Sequence, residues 1–230
     1  GLDPSQIKFK VFQIVYNEAT KESRDPGFLP MNNLDNPRPD WSEYWPIRKH
    51  LLKGIPEDEY QGFLSPKFFI KTKLTSTDVE NFLRTTDPDV DVIAFSPFFD
   101  LSAAYINVFH QAVTSHPGIE EAIKRAFQII NPSIDVTTLV THSQNTIFCN
   151  YFVANRRFWD RWLMCCEEIF ELSENIGTKD SELFNTAVTH SMDSYAAKVF
   201  IIERVATFLL AKSFGEVMFA SGRTIRSAPA

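Results

Sequence analysis

The sequence predicts an α/β domain with a mostly parallel central sheet flanked by helices, and two features carry that expectation. Apolar runs of strand length alternate with longer segments whose apolar residues recur at helical spacing. The composition, 44% hydrophobic and 23% charged over 230 residues, suits one globular core. The chain contains 21 Phe, so large rings can fill that core at about 1.5–3 kcal/mol each.

Residues 8–16, KFKVFQIVY, mix β-branched and aromatic side chains over a strand-sized run, as a buried parallel strand does. Residues 17–40 are dense in Pro, Asn and Asp and read as a long loop with turns. WSEYWPIRKHLLK, from Trp41, has helical spacing and ends near Gly54, a C-cap residue; Pro46 either sits in its first turns or splits it. Residues 60–64 form a short strand leading into SPKFFIKT, and 77–84 a helix capped by Ser76 or Thr77. DVIAF, 91–95, is a short buried strand with the loop SPFFD at its end. Residues 101–114 and 119–129 read as helices, 137–140 and 146–153 as strands, 156–174 as a long amphipathic helix, and 191–214 as a final helix. In such a sheet ligands bind beyond the carboxyl ends of the strands, so the loops after Tyr16, Leu64 and Phe95 come first as site candidates.

Composition also excludes partners. The net charge is −6 with a pI near 5.4, and no window gathers Lys and Arg as a nucleic-acid groove requires. Cys149, Cys165 and Cys166 show no CxxC spacing and no disulfide framework, which points to a reducing compartment. No apolar run reaches the roughly 18 residues of a membrane span, and the N-terminus lacks signal-peptide character, so the expected location is cytoplasmic. Residues 1–230 read as a single domain; residues 1–6 are an aperiodic lead-in, and a domain taken from a longer polypeptide would have similar ends.

Several chemistries are absent by motif. The eight glycines form neither GxGxxG nor GxxxxGK[ST], and there is no GxSxG elbow and no HExxH. Asp89 and Asp91 form a DxD whose paired carboxylates suit Mg²⁺ or Mn²⁺ bound to a diphosphate, although DPDVD also reads as a solvated turn; Asp100 is an alternative ligand. Lys67, Lys71 and Lys73 lie among aromatics and could meet phosphate as point charges or line a solvated helix face. Asn32, Asn33, Asp35, Arg38 and Asp40 suit contacts to sugar hydroxyls, or simply make turns. Glu203 and Arg204 interrupt the apolar run FIIERVATFLLA, as a structural ion pair or as a cleft acid fit for proton transfer. The aromatic stretch 158–170 reads as a core-lining helix or a docking face.

Taken in order, FQIVYNE, DPGFLPMNN with RPDW, GFLSPKF with KT, DVDVIAFSP and NYFVANRRFWDRW resemble bacterial and large-virus glycosyltransferases of capsule, O-antigen and surface-glycan synthesis. IIERVATFLL is similar to the ERL-type helix near the end of capsular polysaccharide transferases, and together the blocks span residues 11 to about 210. The resemblance implies a GT-A-like nucleotide-binding sandwich, a nucleoside diphosphate sugar donor with UDP favoured, a glycan acceptor, and Mn²⁺ or Mg²⁺ on Asp89 and Asp91. On this reading Lys67, Lys71, Asn33 and Arg38 hold the donor, and Glu203 or Asp193 takes the acceptor proton. Apart from the resemblance, the chain ends leave further domains of the same polypeptide open as partners. A carbohydrate- or nucleotide-binding module of a polysaccharide synthase, without turnover, is the competing expectation.

Overall fold

A computed structural model describes residues 6–95, 108–116, 118–138, 147, 149–190, 192–210 and 225–227. Its main sheet is built from β1 (Lys8–Val15), β2 (Leu29–Asn32), β3 (Glu59–Leu64), β4 (Val92–Ala94) and β5 (Phe152–Ala154), and a separate hairpin is formed by β6 (Ala187–His190) and β7 (Asp193–Ala196). A last strand, β8 (Ile225–Ser227), completes the sheet in the order β2-β1-β3-β5-β4-β8. The chain is thus α/β as expected, but the sheet is mixed rather than mostly parallel. β1 runs parallel to β2 and β3, whereas β5 runs antiparallel to both β3 and β4.

The misjudged direction has a physical reason. An all-apolar run reports burial on both faces, not strand polarity. Val92 and Ala94 face one core while Ile93 faces the other, and Phe152, Val153 and Ala154 divide in the same way. Immediately before β5, Cys149 and Asn150 adopt left-handed φ values of 59° and 54°, an uncommon conformation for non-glycine residues, and they confine the strand to residues after 151. Gly62 lets β5 approach β3, because a Cβ there would lie 2.7 Å from Val153 Cγ2 and 2.9 Å from the Phe152 carbonyl oxygen.

Helices cover both faces. They are α1 (Glu18–Glu22), α2 (Tyr44–Leu51), α3 (Phe68–Thr72), α4 (Ser76–Arg84), α5 (Val108–Ser115), α6 (Glu120–Ile130), α7 (Arg156–Glu174), α8 (Lys179–Phe184), α9 (Ala197–Ile202) and α10 (Val205–Leu210). The long α7 starts where the sequence places it, with Asn155 accepting from the Phe158 amide. Its buried face carries Phe158, Trp159 and Trp162, so these rings line the core. Trp159 stacks on Phe152 at 4.6 Å and donates its indole N–H to the Gln61 carbonyl at 2.8 Å, locking helix to sheet.

Four local expectations change. The stretch 17–40 contains α1 and β2; Asn17 and Thr20 form a capping box that the Asn/Asp-rich composition concealed. The cap of α4 is Thr75, in a reciprocal capping box with Asp78. Thr137 and Thr138 lie in a turn anchored on Asp135, while 139–140 fall outside the described residues. The expected final helix is divided into β7, α9 and α10, with Glu203 and Arg204 at the break between the two helices. Pro46 sits in the first turn of α2, where its missing N–H has no intrahelical partner to lose.

Candidate functional site

Two strand ends and four other segments meet at the C-terminal edge of β1 and β3. Gln13 ties the strand ends together, donating from Nε2 to the Ser65 carbonyl at 3.1 Å while its Oε1 accepts from the Asp25 amide. Ser65, just beyond β3, shares a 2.6 Å hydrogen bond with the Tyr151 hydroxyl. Lys67 stands at the start of α3, and one turn later Lys71 Nζ donates to Cys149 Sγ at 3.3 Å and lies over the Tyr151 ring. Glu43 enters from the N-terminus of α2, and Glu203 from the break between α9 and α10.

These groups are close enough to set one another's charge. Burial of the Glu43 carboxyl raises its pKa to about 8; Glu203 adds to the rise, and Lys71 and Lys67 oppose it. The residue is partly exposed at the surface of this edge. Burial works against the charge on Lys71, but Cys149, Glu203 and Glu43 hold it above its ordinary value. Burial, reinforced by Glu203, pushes the Cys149 thiol up to about 11 despite the lysine beside it. Tyr16 and Tyr151 are also raised, first by burial and then by Glu43 and Cys149 respectively. At neutral pH the Glu43 carboxyl therefore mostly keeps its proton, beside Glu203, Lys71 and Lys67.

This arrangement has a stability consequence. Glu43 binds a proton in the folded state between its ordinary pKa of about 4.5 and its folded value of about 8, while the unfolded chain does not. Its contribution is complete below pH 4.5 and is lost as pH rises through 8. Glu43→Gln, uncharged throughout, is expected to gain on the natural chain over that interval, by on the order of 2 kcal/mol at pH 8 once the rise from 4.5 to about 8 is discounted for the residue's partial exposure. Thermal melting of both proteins from pH 5 to 9 checks this: the Tm difference grows to about pH 8 and then levels off.

The sequence candidates divide into those this edge gathers and those it does not. Lys67, Lys71 and Glu203 come together. Asn33 lies at the end of the neighbouring strand β2, its amide donating to the Val15 carbonyl at 2.9 Å; it is 3% exposed, and its side-chain oxygen has no partner among the described residues. Arg38 instead forms paired hydrogen bonds to Asp40 and to Glu174 of α7, at 2.6–3.1 Å, which hold its guanidinium well above its ordinary pKa. Asp40 in turn accepts from the buried Lys198 at 2.8 Å, so Arg38 clamps the 33–41 loop onto the helices and is committed there. Asp193 is exposed on the hairpin strand β7 rather than on a helix beside Glu203.

The DxD does not fit a metal site. Asp91 is 2% exposed, and both carboxylate oxygens are occupied: Asn155 Nδ2 donates to one, and Arg157 Nη2 donates to the other at 2.6 Å. The Asp91 carbonyl also accepts from the Asn155 amide, so this aspartate joins β4 to the cap of α7. Asp89 is exposed in a turn, its amide donating to Asp87 Oδ1. The triplet is thus a turn followed by a structural anchor, and no group of three or more His, Cys, Asp or Glu suited to a metal occurs among the described residues. Asp100 lies outside them.

Sequence reading missed Glu43, Tyr16, Ser65, Cys149 and Tyr151. Tyr16 and Ser65 could have been found, since each directly follows a strand whose loop was a site candidate. Glu43 and Cys149 carry no motif and reach the edge only through the path of the chain. No helix among the described residues is long and apolar enough to cross a membrane. Comparison with protein-family models, with curated proteins and with solved structures finds no match.

Proposed function

We propose that the chain transfers a sugar from a nucleoside diphosphate sugar, UDP-sugar by preference, to a hydroxyl of a glycan acceptor. The observation that carries this reading is the convergence of Glu43 and Glu203 with Lys67 and Lys71 at the strand ends of an α/β sheet. The acceptor hydroxyl attacks the anomeric carbon and the Glu203 carboxylate takes its proton. Glu43, carrying a proton at neutral pH, stands beside it as a hydrogen-bond donor. Lys67 and Lys71 meet the charge of the departing diphosphate, and the Asn33 side-chain oxygen accepts from a donor hydroxyl. The Mn²⁺ or Mg²⁺ of the resemblance has no role in this scheme, because Asp91 is already paired with Arg157 and Asn155.

Calorimetric titration with UDP-, GDP- and dTDP-sugars, with and without Mn²⁺, tests the proposal. At least one donor is expected to bind with a dissociation constant between about 1 μM and 1 mM, and Lys71→Ala is expected to weaken it by roughly tenfold. Absence of binding by all three would remove the proposal. The non-catalytic module is distinguished by turnover: it binds the donor, but Glu203→Gln changes nothing.

A further inference from the structure

The segment that supplies Lys67 and Lys71 to the site also presents an apolar tip outward. Phe69 is 53% exposed and Ile70 67% exposed on the short helix α3, and Lys67, Lys71 and Lys73 surround them. Lys73 Nζ lies 5.9 Å from the Phe69 ring centre. From residue 60 to residue 77 the chain has no Asp or Glu, in a protein whose net charge is −6. Lys73 also occupies a left-handed backbone position, φ 62°, where glycine would fit without cost, and it places an ammonium at the rim of the tip.

We propose that this tip, 67–73, docks on an anionic lipid bilayer, with Phe69 and Ile70 entering the headgroup boundary and Lys73 meeting the lipid charge. The two side chains offer far less than the roughly 800 Å² that each partner contributes to a stable protein interface. A bilayer needs no matching pocket and presents negative charge above an apolar layer, which is the order in which this tip presents lysines and apolar side chains. The acidic remainder of the chain is repelled by the same surface, so attraction at the tip orients the molecule with the Glu43–Glu203 edge toward the membrane. Each lysine near an anionic surface strengthens partition by about fivefold, so the contact is weak, reversible and sensitive to salt. The inference stands apart from the sugar-transfer reading and depends on none of its roles.

Sedimentation of the full chain with vesicles of phosphatidylglycerol mixed with phosphatidylcholine, and with phosphatidylcholine alone, tests it. Binding is expected to the anionic vesicles only, and to fall severalfold at ~0.5 M salt. The double change Phe69→Ser with Ile70→Ser is expected to weaken partition by about tenfold or more, and Lys73→Glu by a comparable factor, with Tm unchanged because all three side chains are exposed. Failure of the natural chain to sediment with anionic vesicles would overturn the inference, even if it bound an acidic peptide. So would undiminished sedimentation of both variants.

Discussion

Glu203→Gln is expected to lower turnover of the donor sugar by about 10²–10⁴-fold, the usual contribution of a positioned proton acceptor, with donor affinity changed by less than about threefold. Glutamine keeps the size of the side chain and its place at the break between α9 and α10, so helix packing is preserved. What it loses is the charge that adds to the burial-driven rise of Glu43. The variant therefore has a second readout: Glu43 titrates at a lower pH, and the pH at which stability begins to level off moves down. A role for Glu203 in the ion pair with Arg204 alone, at 3.8 Å, would cost stability and leave turnover of the folded protein intact. Steady-state kinetics and pH-dependent melting on the same preparation separate the two.

The largest effect on stability is expected at Asp91. Asp91→Ala removes the acceptor for Asn155 Nδ2 and for Arg157 Nη2 at the junction of β4, β5 and α7. Loss of one partner of a fully buried pair costs about 3–5 kcal/mol. Arg157 is half exposed and recovers hydration, which brings the expected loss to about 3 kcal/mol. Chemical denaturation should show that loss with an unchanged response of donor binding to Mn²⁺. A metal ligand would behave in the opposite way, with binding losing its metal dependence and stability little affected.

The contrast between Asp91 and Glu203 shows which features sequence reading captures. Both are carboxylates in or beside apolar runs, and the motif at Asp91 is the more familiar. Motif spacing fixes how far apart Asp89 and Asp91 stand along the chain, but not that Arg157 and Asn155, more than 60 residues later, fold onto the second one. The charge in FIIERVATFLLA was informative because an apolar helix tolerates such a residue only where it finds a partner or an opening, and here the helix breaks at that point. β1, β3 and α7 were legible from their length and periodicity, and α7 begins at its Asn155 cap as the sequence indicates. The reversed direction of β5 was not, since Phe152, Val153 and Ala154 are buried on both faces whichever way the strand runs. Likewise the loop after β3 announced Lys67 and Lys71, but Cys149, at 3.3 Å from Lys71, arrives from a turn 78 residues later.

In the proposed transfer the carboxyl pair and the two lysines act on one donor molecule. Titration of the natural chain with UDP-sugar, followed on the same samples by release of nucleoside diphosphate in the presence of a glycan acceptor, tests that most directly. Saturable binding is expected, weakened roughly tenfold by Lys71→Ala, with acceptor-dependent release lowered by about 10²-fold or more by Glu203→Gln. Binding and release that are both indifferent to these two changes would contradict the proposed transfer.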